Sequence, residues 1–307
     1  MAATEIRPDL FFIQRGYLNA NHLAYRSRRP VLIDSAYLSS VDQTQRILAA
    51  LGIDLARVEL IVTTHCHCDH VGGNRRIQEL SGCAIALHRI GKHFIDTRDD
   101  WSTWWRYYDQ EAEFFNATRA LEDGEIVPIG PYRFQVICTP GHSADGTVLY
   151  CAEEKLLISS DALWEKDIPV MTLRVEGSRA IFDALESLEK LRRLDVRTVL
   201  PGHGGPFHDI DSAIERSARR LRTYLERPEE LGTDQLKRIV VYTVLMRPGV
   251  EVNTFFERLM ATAWFPETCN FFFQGAYRRK YDEVLSGLIA RGVLACTEGR
   301  LCTSVAA

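Results

Sequence analysis

The 307-residue chain has no apolar run of about 18 residues, so no membrane-spanning helix is expected. Its start, Met1–Phe12, contains Glu5 and Asp9 and lacks the charged-then-apolar pattern of a secretory signal, which gives a cytoplasmic expectation. There is no basic excess. Lys and Arg number 37 against 41 Asp and Glu, and a net charge of −4 offers nucleic acid no general attraction. None of the eight cysteines (66, 68, 83, 138, 151, 269, 296 and 302) forms a C-x-x-C pair. Buried, reduced thiols are expected, not a disulfide framework. Internal repeats and low-complexity tracts are also missing.

What is present is alternation. Short runs rich in Val, Ile and Leu read as strands at Val31–Asp34, Leu60–Thr64, Ala84–Leu87, Phe134–Cys138, Thr147–Cys151, Leu156–Ser159 and Thr198–Leu200. Helical patterns fall between them at Ser40–Leu51, Gly73–Leu80 and Arg179–Leu194, the last with Ile181, Leu185, Leu188 and Leu191 on one face. The reading is an α/β layered domain over 1–225. Residues 89–120 carry Trp101, Trp104, Trp105, Tyr107, Tyr108, Phe114 and Phe115 and read as an aromatic helical insertion, a candidate lid. The polar stretch Glu226–Thr233, with Pro228 and Gly232, reads as a linker. Helical patterns at Asp234–Met246, Val252–Ala263 and Tyr277–Arg291 and a terminal hairpin then suggest a small, mainly helical, winged-helix-like domain over 226–307.

The chemistry concentrates in His65-Cys66-His67-Cys68-Asp69-His70. This run follows a strand and precedes Gly72-Gly73 and a helix. In extended backbone residues i and i+2 point the same way, so His65 and His67 can grip one metal together. Where the chain turns into the helix, Asp69 and His70 point elsewhere and can reach a second. Imidazole and carboxylate suit zinc, and also iron or manganese. Three more segments share one plan of strand, turn residues, ligand: Thr139-Pro140-Gly141-His142, Ser159-Ser160-Asp161 and Pro201-Gly202-His203. By the same alternation Cys66 and Cys68 should point away and act as spacers.

These four segments, in this order and at these separations, resemble the metallo-β-lactamase superfamily over roughly residues 8 to 222, with Asn21 and Leu32-Ile33-Asp34 matching its opening strands. The resemblance implies an αββα sandwich with a binuclear centre at one edge. It implies that His65, His67 and His142 hold the first metal, Asp69, His70 and His203 the second, and that Asp161 bridges them. Asp34 would orient ligands from behind. A metal-bridging hydroxide would be the nucleophile, with Asp69 as the catalytic residue that orients it. Two divalent ions are expected, zinc first.

Departures from the family's branches narrow the reading. The β-lactamases lack an aspartate at the position of Asp161. The quorum-sensing lactonases carry a tyrosine three residues later, where this chain has Trp164. The glyoxalase II thioesterases follow their last histidine with Glu-Tyr, where this chain has Gly204-Gly205. The reading is therefore hydrolysis of an ester, thioester or lactone of a small molecule, with Trp104, Tyr108 and Trp164 in the substrate pocket. A different-class alternative is the persulfide dioxygenases, which use a single iron held by matches of His65, His142 and Asp161. Their Gly-Arg-Thr-Asp segment is replaced here by Glu165-Lys166-Asp167-Ile168. A phosphodiesterase or ribonuclease is the other alternative, but residues 225–307 hold ten basic and ten acidic residues, which weighs against RNA binding. A homodimer is expected.

Overall fold

A computed structural model describes residues 3–306. The first sheet has seven strands in chain order: β1 (Ala3–Arg7), β2 (Leu10–Ile13), β3 (His22–Tyr25), β4 (Val31–Ile33), β5 (Leu60–Thr63), β6 (Ala84–His88) and β7 (Arg119–Leu121). β1 to β4 form an antiparallel meander, and β4 to β7 run parallel. The second sheet holds β8 (Ile126–Ile129), β9 (Tyr132–Cys138), β10 (Thr147–Cys151), β11 (Leu156–Ser160) and β12 (Thr198–Pro201), antiparallel except for the β11–β12 pair. A hairpin of β13 (Leu294–Thr297) and β14 (Arg300–Thr303) stands apart.

The helices are α1 (Val41–Ala50), α2 (Cys68–Val71), α3 (Asn74–Ser81), α4 (Arg89–Thr97), α5 (Leu173–Glu176), α6 (Ala180–Arg192), α7 (Ile210–Glu226), α8 (Pro228–Met246), α9 (Val252–Met260), α10 (Trp264–Phe273) and α11 (Tyr277–Ala290). Strand alternation sorts the apolar side chains into layers. Val31, Ile33, Val62, Leu149, Leu156 and Ile158 meet between the two sheets. Leu32 and Ile61 point outward to α1, α3 and the C-terminal helices. Val148 and Leu157 point outward to α6 and α7. The result is an αββα sandwich with a helical C-terminal region.

Three readings of the sequence are corrected. Glu226–Thr233 is not a linker. Pro228 sits in the first turn of α8, where its missing N–H is harmless, and Glu229 and Glu230 favour the helix's positive end. Gly232 is there for packing, because a Cβ would lie 2.6 Å from the Phe272 ring. The C-terminal region has four helices, not three; the additional one is α10, whose Pro266 falls within the first turn, where proline is tolerated. The aromatic stretch 89–120 is helical only over α4, runs on through turns, and ends in β7. Strands β1, β2, β3, β7 and β8 are further elements beyond the strands expected from the sequence, although β2 is itself an apolar run.

Candidate metal centre

The parallel strands β5, β11 and β12 end at one edge, and their loops converge with the β9–β10 turn. Across that edge Thr147 donates from both its backbone N–H and its hydroxyl to Thr64 O, at 3.0 and 2.9 Å. This ties the His142 turn to the His65 loop.

After β5 the chain stays extended through His67, which caps α2. His65 Nε2 and His67 Nδ1 therefore face each other at 3.0 Å. His142 donates from Nδ1 to Val170 O at 2.7 Å, which turns its Nε2 inward to 3.5 Å from Asp161 Oδ2. The first turn of α2 presents Asp69 and His70 to the other side. His70 Nε2 lies 3.5 Å from Asp161 Oδ1 and 3.8 Å from Asp69 Oδ2, and His203 Nε2 lies 3.1 Å from Asp69 Oδ2. Donor atoms within 4.8 Å of one another form three overlapping sets: His65, His67, His142; His65, His70, Asp161; and Asp69, His70, His203. All seven candidate ligands are thus brought together.

The electrostatics fit a cation. Burial, then the neighbouring imidazoles, push His65 and His67 well below the ordinary value, and burial lowers His142 despite Asp161, so these rings are neutral lone-pair donors. Burial opposes charge on His70 too, but Asp34, Asp69 and Asp161 outweigh it and hold the ring well above its ordinary value. Burial likewise works against an ionised Asp161, yet His70 and His203 keep its carboxyl well below the usual range. Among the described residues, neither Asp69 nor Asp161 pairs with a Lys or Arg. His67 Nε2, His70 Nε2 and His142 Nε2 are buried and meet no hydrogen-bond partner. Buried polar atoms are normally satisfied. Imidazole nitrogens and carboxylates converging with no Lys or Arg paired to them suit divalent metal ions.

A supporting layer fixes the donors. Asp34 accepts from His70 Nδ1 at 2.8 Å, from Thr64 N at 2.8 Å and from the Thr64 hydroxyl at 2.7 Å. Asp145 accepts from Cys66 N at 2.9 Å, which fixes the loop between His65 and His67. Asn21 donates to Pro201 O and Gly204 O at 2.9 and 2.8 Å and so holds the segment bearing His203. Gly202 passes so close to Asp161 that a Cβ would sit 1.9 Å from Oδ1. Of these, Thr64 and Asp145 do not stand out in the sequence. The Asp145 signal is its place three residues after His142.

Cys66 and Cys68 turn away from the donors. Their sulfurs lie 3.7 Å from Gly91 O and 3.5 Å from the Tyr242 hydroxyl. His22 is buried and joins none of the donor sets; burial and Arg15 lower it to about 3.

Above the donors lies a cavity of about 60 Å3, lined by Tyr17, Trp104, Gln110, Trp164, Val170, Arg238, Ile239 and Tyr242 besides the ligands. Trp104 stacks 3.8 Å from the His67 ring centroid, and Trp164 donates to Asp161 Oδ1 at 3.2 Å. Tyr108 does not belong to the lining. It is fully buried behind Trp104, where its hydroxyl accepts from Gln235 at 3.0 Å. Tyr17, Arg238, Ile239 and Tyr242 carry no signal in the sequence, because they reach the cavity from opposite ends of the chain.

Comparison with known proteins agrees with this geometry. The Metallo-beta-lactamase superfamily matches residues 23–203. The chain is similar to the beta-lactamase-like protein 2 homolog of Caenorhabditis elegans, 26% identical over 205 residues that cover 66% of this chain and 60% of that protein. It thus spans about three fifths of that relative's length. It is also similar to the acyl-coenzyme A thioesterase MBLAC2 of Gallus gallus, 26% identical over 242 residues, 71% of this chain and 84% of that one. In fold it resembles the crystal structure of a metallo-beta-lactamase family protein from Thermus thermophilus, with a TM-score of 0.63 and 22% identity, over 97% of this chain and 100% of that one.

Proposed function

The chain belongs to the metallo-beta-lactamase superfamily, and from that premise we propose that it is a metal-dependent hydrolase cleaving the thioester of a small molecule at a binuclear centre. The observation that carries the reading is Asp161, whose Oδ1 faces His70 while its Oδ2 faces His142 and His203, so that one buried carboxylate meets histidines of both proposed ligand sets. In this reading His65, His67 and His142 would hold one metal and Asp69, His70 and His203 the other, with Asp161 the ligand they would share. Zinc is the first choice, and iron or manganese suit the same donors. When bound, such metals supply Lewis acidity, which polarises a carbonyl oxygen and makes water nucleophilic near neutral pH.

The chain's own residues do the rest. Asp69, 3.1 Å from His203, faces the cavity, orients the attacking water and passes its proton to the departing thiol. Asp34 keeps His70 in one orientation. Trp104 and Trp164 wall the cavity and shield the reacting carbonyl from bulk water. Two observations support a thioester: the narrow aromatic cavity, and the likeness to a protein named as an acyl-coenzyme A thioesterase. Overlapping donor sets favour two metals over a single iron. The winged-helix-like reading of 226–307 rests on its helices and hairpin, and α8, which brings Arg238, Ile239 and Tyr242 to the cavity, supports closure of the cavity as its role.

The test is metal analysis of freshly purified protein with a panel of thioester, lactone and phosphodiester substrates. Two metals per chain with preferential thioester hydrolysis is the expected result. One iron per chain with oxygen consumption overturns it.

A further inference from the structure

Positive charge is not in excess overall but gathers along α7. On α7, Ala213, Ile214, Ser217, Ala218, Leu221 and Tyr224 are buried. Arg216, Arg219 and Arg220 therefore share the outward face at helical spacing. With Lys166 and Arg227 they line a groove of about 550 Å3, against only Asp167 and Glu230. That size lies within the ~300–1,000 Å3 usual for small-molecule sites.

Much of this charge is uncommitted. Arg219 forms no ion pair among the described residues. Arg216 spends its guanidinium on a neutral acceptor, Glu165 O, at 2.5 and 3.0 Å. Lys166 is almost fully exposed and loosely placed at 3.7 Å from Glu165. Arg220 shares Asp234, at 3.0 Å, with the buried Arg238, which lies 2.8 Å from the same carboxylate.

The groove adjoins the catalytic cavity. Trp164 and Val170 of one loop face the cavity, while Lys166, Asp167 and Ile168 of that loop face the groove. Arg238 stitches the wall, donating to Asp167 Oδ1 at 2.7 Å and Ile168 O at 2.8 Å. Lys166 is five positions after Asp161, so their Cα atoms are at most about 18 Å apart. That distance is within the reach of a substrate whose carbonyl lies among the donors and whose anionic end, on a thin arm, lies in the groove.

We propose that this groove binds the phosphates of the leaving thiol, making the substrate an acyl thioester on a phosphate-bearing nucleotide carrier of the coenzyme A kind. Guanidinium groups suit phosphate because their fork matches its oxygens. The adjoining depression, where Arg192, Arg219 and Arg222 face Glu215 and Glu226, is close to balanced in charge, whereas a polynucleotide would require a basic stripe that runs on. The inference rests on the thioester reading above.

Two measurements test it. The first compares kcat/KM for one acyl group carried on coenzyme A and on N-acetylcysteamine, which has no phosphate. Arg216→Glu with Arg219→Glu should lower the ratio at least about tenfold, the scale of lost charge-assisted hydrogen bonds, and flatten its salt dependence. Arg278→Glu, which changes charge outside the groove, should not lower it. The second is calorimetric binding of 3′-phosphoadenosine 5′-diphosphate, which has the phosphates but neither thiol nor acyl group. Binding to the parent protein, lost in the double variant, supports the groove even where no thioester is hydrolysed; the thioester reading then falls and the groove stands. Thioester hydrolysis with an unchanged ratio and no nucleotide binding overturns the groove and leaves the thioester reading intact. Tighter binding of a single-stranded RNA than of the nucleotide also overturns it.

Discussion

Asp34 and His70 meet at 2.8 Å, carboxylate Oδ2 to ring Nδ1, with the imidazole fully buried. The bond places a ring proton on Nδ1 and turns Nε2 toward Asp161. Asp34→Ala should therefore weaken metal affinity about 10–100-fold, the usual cost of losing such a support, with the fold retained. Chelator competition measures it; affinity equal to that of the parent protein would remove Asp34 from the centre.

Gly202 tests the bridging role of Asp161 without touching a donor. A methyl group there would overlap Asp161 Oδ1, at 1.9 Å. Gly202→Ala should displace the carboxylate and lower metal content and activity together, as Asp161→Ala should. Normal occupancy in Asp161→Ala would falsify the shared-ligand assignment.

Glu176 supports the cavity wall and titrates where it can be followed. It accepts from Trp104 Nε1 at 2.5 Å and from Ala144 N at 2.7 Å. Burial pushes its carboxyl up to about 8, against the Trp104 hydrogen bond and with Asp145 adding to the rise. Between the ordinary carboxylate value and 8 the folded protein holds a proton that the unfolded chain lacks. Stability should therefore fall as pH rises through that window and level off above it. Glu176→Gln sets an N–H against one of the two donors, a cost of about 1–3 kcal/mol, and removes the titration. Thermal melts at pH 6 and pH 9 should show the gap between parent and variant narrowing with pH; a constant gap contradicts the shifted carboxyl.

Trp104 and Tyr108 are neighbours with different duties. Trp104→Ala should change preference among acyl chain lengths and leave metal content intact, since Trp104 lines the cavity and is no donor. Tyr108→Phe should cost about 1 kcal/mol of stability through the lost Gln235 bond and leave preference alone. Reversed outcomes would exchange the two residues' roles.

The sandwich and the seven donors are legible because both rest on local rules. Strand alternation places β4, β5 and β10 nearly to the residue, and every ligand lies in a segment that follows a strand end, Asp69 and His70 within the short helix α2. What escapes depends on distant partners. β1 to β3 are a meander at the chain's start, β7 is short, and α8 begins at a proline that reads as a break. Tyr108 looks like a pocket residue because its aromatic company is genuine, but local pattern says nothing of which ring stands in front. Tyr17 and Arg238 lie 221 positions apart, and no spacing rule joins them over one cavity.

The superfamily match ends at residue 203 and begins at 23, so it contains every donor. Tyr17, Arg238, Ile239 and Tyr242, which close the cavity, all lie outside it. Part of the cavity wall is thus carried outside the stretch that holds the donors, so a change in the flanks can reshape the cavity without altering a candidate ligand.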